Sequence, residues 1–354
     1  MIKKNYIALL FVLVTTIGFS TEIKGFTFKP FSGKTVNLIQ YKDYITQEFE
    51  ILISTKVDTS GRFFFDIDLK ETQQAIIQIE YLIGIIYLDP NQKYTIYFPP
   101  RTLDGSYKLT RNNVIIEFKT IPKNDINGLI IQFDEQYDQF LADNRYKVGR
   151  KIFHSKLDTF KREIKDKFKG IKNKYFINYA KYKIADLQLV SPSAQQKINK
   201  LSVYNTYIHN KKIDTRHETQ MRFLMNFYEK TLNNQVGKTG SQLAKILRER
   251  PNYVALDTIL QKDYFFKMKP IRELVIAENL FSMSYNENYS PVRMLALLKQ
   301  AKKHGEIKEI TQITTNIINS MERLIPGSNP IPFTLINQNG DSISLTDLKG
   351  KYVY

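Results

Sequence analysis

The spacing of apolar side chains changes character twice along this chain, and that change constrains the fold more than any single motif. From residue 23 to about residue 118 the apolar residues fall in short runs, several with period two, separated by turn residues. Val36-Asn37-Leu38-Ile39, Phe49-Glu50-Ile51-Leu52-Ile53 and Phe63-Phe64-Phe65-Asp66-Ile67 read as strands. So do residues 75–79, residues 84–88, Tyr94-Thr95-Ile96-Tyr97-Phe98 and residues 114–118. Asp58-Thr59-Ser60-Gly61 and Asp89-Pro90-Asn91-Gln92 are turns between them. Short strands with regular turn residues predict an all-β, sandwich-like domain over residues 21–122.

After Pro122 the period lengthens to about 3.6 residues, and Asn127-Gly128 leads into a helical region. Ile130, Phe133, Tyr137, Phe140 and Leu141 share a helical face. Phe176, Tyr179, Ala180, Lys183 and Leu187 form another, with the lysine stem lying along it, and Met221, Leu224, Met225, Tyr228 and Leu232 a third. Ile271, Leu274, Val275, Glu278 and Phe281 nearly form a fourth, interrupted by the carboxyl. Breaks at Ser191-Pro192-Ser193, residues 237–240, Pro251, Pro270, Pro291 and Gly305 predict about eight helices in a bundle or irregular array over residues 123–325. The Met and Tyr stripes fit a packed core better than a peptide groove.

A third texture begins near Pro326. Phe333-Thr334-Leu335-Ile336 and Ser342-Ile343-Ser344-Leu345 read as a hairpin around Asn337-Gln338-Asn339-Gly340, and a further strand begins at Gly350-Lys351-Tyr352-Val353-Tyr354. A hairpin with part of a strand is too little for a domain, so residues 326–354 read as the start of an incomplete one. The expected fold class is multidomain β plus α: an N-terminal β-sandwich-like domain, a helical middle domain and an incomplete C-terminal stub.

The charge is +17, which favours anionic partners. Lys3 and Lys4 precede an apolar run over residues 7–17, followed by Gly18-Phe19-Ser20, so residues 1–20 read as a secretory signal peptide. The mature chain is expected to begin near Thr21, in the periplasm or cell envelope, and export argues against nucleic acid as a partner. No cysteine follows the apolar run, so a lipoprotein anchor is not expected.

Residues 330–354 resemble the opening of the thioredoxin-like domain of the TlpA/ResA and peroxiredoxin (AhpC/TSA) group. The matching elements are Ile331-Pro332-Phe333-Thr334-Leu335, Asn339-Gly340, Ser344-Leu345 with Leu348, and Lys349-Gly350-Lys351-Tyr352-Val353. Upstream, Ile23-Lys24-Gly25, Gly61-Arg62-Phe63-Phe64-Phe65 and Tyr87-Leu88-Asp89-Pro90-Asn91-Gln92-Lys93-Tyr94 are similar to the DUF4369-type β-domain. In secreted Bacteroidetes members of that group, this domain and a helical region precede the thioredoxin fold. The resemblance implies exported thiol-disulfide exchange through a Cys-x-x-Cys pair at a helix N-terminus, where helix amides lower the first thiol's pKa and the second thiol resolves the mixed disulfide. This sequence contains no cysteine, so none of those catalytic positions carries over. It reads as non-catalytic as it stands: the client- or partner-binding portion of such an oxidoreductase, truncated before the reactive pair. An active enzyme is expected if the coding sequence continues into that pair. A structural or surface-associated envelope protein is the reading of a different class, and a hydrolase whose site only the fold assembles is a third.

Residues 147–174 hold eleven Lys or Arg against Asp158, Glu163 and Asp166. Phe153, Leu157, Phe160, Ile164 and Phe168 share one face, so this is a basic amphipathic helix. Its cations form either a solvated face or a weak, salt-sensitive contact with an anionic membrane surface or acidic partner through Lys161, Arg162, Lys165 and Lys169. Asp134 and Asp138, one helical turn apart with Glu135 between, are spaced for acid–base work or a hard cation, but an exposed helix edge accounts for them equally. His154, His209, His217 and His304 lack metal-site spacing. His217-Glu218 matches a zinc-protease motif only in part, with no second histidine in place. No Gly-x-Ser-x-Gly elbow or phosphate-cradling loop is present. No catalytic residue, metal ligand or cofactor is therefore assigned.

Overall fold

The computed structural model describes residues 20–99, 112–122, 124–190, 196–233, 237–323 and 327–353. The apolar run read from sequence as a signal peptide, the Ser191-Pro192-Ser193 break and Ile325-Pro326 lie outside them. The fold is mixed β and α, with ten α-helices and three sheets among the described residues, in keeping with a multidomain β-plus-α chain. It divides into two compact units: Met1–Ile39 with Ile51–Gly128, and Gln40–Glu50 with Leu129–Tyr354.

The first unit holds two sheets. One orders β4 (Arg62–Ile67), β1 (Thr21–Thr27), β7 (Lys93–Phe98) and β9 (Glu117–Phe118). The other orders β3 (Phe49–Lys56), β2 (Thr35–Tyr41), β5 (Gln73–Ile79), β6 (Leu82–Leu88) and β8 (Asn112–Asn113). β1 lies antiparallel to β4, with Gly25 opposite Phe63, and parallel to β7, with Glu22 opposite Lys93. Its alternation puts Ile23 and Gly25 inward and Lys24 and Phe26 outward. Ile23, Phe65, Ile96 and Phe98 of the first sheet share one core with Leu38, Ile77, Leu82 and Ile86 of the second. Two glycines permit close approach. A Cβ on Gly25 would meet the Phe63 ring at 2.0 Å, and one on Gly84 would meet Ile116 Cγ1 at 2.6 Å.

One strand expected from the sequence is absent. Residues 114–118 do not form a single strand: β8 pairs with β6 in one sheet, and β9 pairs with β7 in the other. The intervening segment passes between sheets, leaving Ile115 86 % exposed while Ile116 is buried over Gly84. Asn127 is held on the β6 backbone: its Nδ2 donates to the Tyr87 carbonyl at 2.8 Å and its Oδ1 accepts the Tyr87 amide at 2.8 Å.

The second unit is helical: α1 (Ile126–Asn144, from Leu129 onward), α2 (Lys151–Lys167), α3 (Lys174–Leu189), α4 (Gln196–Tyr207), α5 (Glu218–Phe227), α6 (Gly237–Arg248), α7 (Tyr253–Leu260), α8 (Lys269–Ser284), α9 (Pro291–His304) and α10 (Lys308–Glu322). Asn127-Gly128 lies inside the first turn of α1, where Asp125 Oδ1 accepts the Asn127 amide at 2.9 Å, so this pair opens a helix and makes no turn. Residues 237–240 likewise open α6. Pro270 and Pro291 occupy first turns, where a missing amide hydrogen does no harm. Met221, Leu224, Tyr228 and Leu232 are core residues, each at most 3 % exposed.

The connection between β2 and β3 belongs to this helical unit. Asp43, 2 % exposed, accepts hydrogen bonds from the Ile45 amide at 2.9 Å, the Thr46 amide at 2.7 Å, the Thr46 hydroxyl at 2.8 Å and Asn316 Nδ2 at 2.8 Å. Arg323 and Glu48 pair at 3.0 Å beside it.

Near the C-terminus, β10 (Thr334–Ile336) and β11 (Ser342–Ser344) form an antiparallel hairpin, with Gly340 at φ +87° in its turn. A single 3-10 turn, Leu345–Leu348, follows, capped reciprocally by Ser344 and Asp347. The strand expected at residues 350–354 does not form among the described residues. Tyr352 is 92 % exposed and has no neighbouring strand to pair with.

Candidate functional site

Helix α2 owes its placement to its apolar stripe. Phe153, Leu157, Phe160 and Ile164 recur at three- and four-residue spacing and are all buried. Phe160 stacks on Phe140 of α1 at 4.6 Å between ring centroids, and Phe168 packs against Phe176 of α3 at 4.8 Å. The cations are thereby turned away from the core.

At about 3.6 residues per turn, Lys151, Ser155, Asp158, Arg162 and Lys165 lie on the side opposite that stripe. Two of the four sequence-selected cations, Arg162 and Lys165, thus share one side of the helix with Lys151, and Lys169 is exposed in the turn that follows. Lys161 sits on the flank, where its ammonium pairs with Asp158 at 3.2 Å. Arg162 donates to Thr159 Oγ1 at 3.2 Å. Among the described residues, Lys151, Lys165 and Lys169 have no carboxylate partner. An open groove runs along the same helix past Lys151, Ile152, His154, Ser155, Asp158 and Arg162. Chemically this is a row of hydrated cations able to hold an anionic surface.

The Asp134–Asp138 pair does not form a joint site. Asp134 reaches across to α3, where its Oδ1 lies 2.7 Å from Lys183 Nζ and its Oδ2 accepts the Tyr179 hydroxyl at 2.8 Å. The Lys183 ammonium also stands 4.4 Å from the Tyr137 ring centre. With its charge met by ion pair, phenol and aromatic face, this cluster reads as a helix–helix clamp.

His217, 1 % exposed, precedes α5 and stacks on Tyr175 at 4.2 Å. Its Nε2 lies 3.0 Å from the Tyr175 carbonyl, which can only accept, so Nε2 carries the proton; Nδ1 faces the Thr219 hydroxyl at 3.2 Å. Burial holds this imidazole below its usual range. No group of three or more His, Asp or Glu side chains is arranged to hold a metal among the described residues.

Two functional-looking groups escaped sequence reasoning. Arg272, 4 % exposed, donates to Asp257 at 2.8 Å and to the Phe266 and Lys267 carbonyls at 2.9 and 3.0 Å, joining α8 to α7. Glu278 on α8 has its carboxyl pushed up to about 7, chiefly by burial; a bond from Asn279 at 2.7 Å offsets part of this, and the Glu229 charge adds to it. Its signal in the sequence was the interruption of an apolar stripe.

No helix among the described residues is long and apolar enough to cross a membrane. No family model, curated protein or solved structure matches this chain.

Proposed function

We propose that this chain is the client- or partner-binding portion of an exported thiol-disulfide oxidoreductase-like protein of the TlpA/ResA kind. In this reading the DUF4369-type β-domain occupies residues 21–122, the helical domain residues 123–325, and a thioredoxin-like domain opens at residues 326–354. One observation carries the reading. The β10–β11 hairpin and its capped turn coincide with the residues of the resemblance, and they leave Ile331 and Leu335 each 63 % exposed. Apolar strands of this length are stable only within a larger sheet, and a thioredoxin fold supplies one. The present residues hold no thiol, so they contribute binding and positioning and perform no electron transfer.

The test is the coding sequence beyond codon 354. An in-frame continuation with a Cys-x-x-Cys pair on a strand-to-helix turn supports the reading and makes the full protein an active oxidoreductase. A continuation that encodes some other fold overturns it. Affinity capture from the exported fraction, using this chain as bait, separates client binding from attachment to an envelope component. The second reading, an envelope-associated interaction protein, draws its support from the unpartnered cations along α2.

A further inference from the structure

We infer that the corner between α1 and α2, together with the cationic row along α2, is a docking surface for an anionic lipid bilayer. This stands independently of the thioredoxin reading.

The corner reads Arg145-Tyr146-Lys147-Val148-Gly149-Arg150-Lys151-Ile152, so cations and apolar side chains alternate along an exposed bend. Tyr146 is 74 % exposed, Val148 42 % and Ile152 52 %. The Arg145 guanidinium lies 4.5 Å from the Tyr146 ring centre. Lys147 is occupied at the end of α1, bonding the Asp143 carbonyl and Asn144 Oδ1 at 3.2 and 3.1 Å. Among the described residues, Arg150 and Lys151 have no carboxylate partner.

The apolar face of α2 cannot be what enters lipid. Phe153, Leu157, Phe160 and Ile164 are committed to the core, so the helix does not behave as an inserting amphipathic helix. The polar face lies on the headgroups instead, and the bend supplies shallow apolar contact. That combination selects among anionic partners. A sulfated or carboxylated glycan satisfies the cations but offers no hydrocarbon to Tyr146, Val148 and Ile152. A bilayer offers both, with an aromatic ring suited to the headgroup level.

The sequence has no tryptophan, so Tyr146→Trp gives a single fluorescent reporter at a highly exposed position. Its emission should shift to the blue on adding vesicles of equimolar phosphatidylglycerol and phosphatidylcholine, and stay put with phosphatidylcholine alone. In co-sedimentation at low salt, Arg162→Ala with Lys165→Ala and Lys169→Ala should weaken partitioning by about fivefold per cation removed. Val148→Ser with Ile152→Ser should weaken it by about tenfold or more, and this loss should persist at high salt while the cationic contribution fades. Circular dichroism of each variant establishes that it is folded. Absence of sedimentation of the unaltered chain at low salt, an unshifted tryptophan, or full binding by the folded Val148→Ser, Ile152→Ser variant each overturns the proposal. Binding to dextran sulfate without binding to vesicles overturns it in favour of a polyanionic glycan.

Discussion

Replacing Glu278 with glutamine should stabilise the helical unit at alkaline pH and leave it unchanged in mild acid. The carboxyl sits on α8 among buried neighbours, Asn279 at 2 % exposure and Val275 at 4 %, and burial raises it from 4.5 to about 7. A carboxyl raised in the folded state binds its proton more tightly there than in the unfolded chain. The stability it contributes is therefore fully present below 4.5 and is lost as pH rises through about 7. Ionising it in place is equivalent to about 3 kcal/mol, a ceiling because the half-buried carboxyl retains contact with water. Glutamine keeps an oxygen for the Asn279 amide and never ionises. His217 works in the opposite sense: its depressed imidazole contributes stability above the ordinary histidine range and loses it on acidification. That contribution is common to both chains and cancels in the difference. Urea unfolding followed by circular dichroism at about pH 4 and about pH 8 should therefore show matching midpoints in acid and a gain of about 1–3 kcal/mol for Glu278→Gln in base. Parallel pH curves, or a variant less stable in base, would refute the reasoning.

Arg272→Ala should destabilise by about 4 kcal/mol, because it strands Asp257 and two carbonyls without a donor; a urea midpoint within error of the parent would rule this out. Asp43→Ala removes four hydrogen bonds to a buried carboxylate and should lower stability by about 3 kcal/mol, measured the same way. Gly25→Ala forces the Phe63 ring out of place and should lower stability by about 2 kcal/mol, with a changed near-ultraviolet aromatic spectrum as its second signature.

What could be read from sequence was the local pattern. Short apolar runs between turn residues located β4, β5, β6 and β7: β4 and β7 alternate buried and wetter positions, whereas β5 is buried along most of its length. The stripe of α2 was equally plain, and with it the outward direction of Lys165 and Lys169. Where two long-range demands met, the pattern misled. Residues 114–118 look like one strand because Val114 and Ile116 are apolar, yet the chain there serves two sheets in turn. Residues 237–240 look like a break because glycine favours turns, but they form the first turn of α6, which Gly237 opens at φ +65°. The partners of charged groups were beyond reach for another reason. Asp134 lies next to the core residue Phe133 and one turn from Asp138, but it bonds Lys183 on a different helix. Nothing local distinguishes that choice. Glu278 shows the intermediate case: its place within an apolar stripe was visible, whereas the burial that raises its carboxyl belongs to the assembled helices.

β1 stands between an antiparallel and a parallel neighbour, and this gives the first unit a timetable. The β4 partner becomes available in the middle of the unit's synthesis, but the parallel partner, β7, leaves the ribosome only after β5 and β6. Until then one flank of β1 is an open row of amides and carbonyls, the kind of edge that recruits strands from other chains. Closing it requires a long loop to be gathered first, which slows folding. One of the earliest strands made is thus among the last to be enclosed, and a pause in translation before residue 93 would leave the nascent chain at its most adhesive.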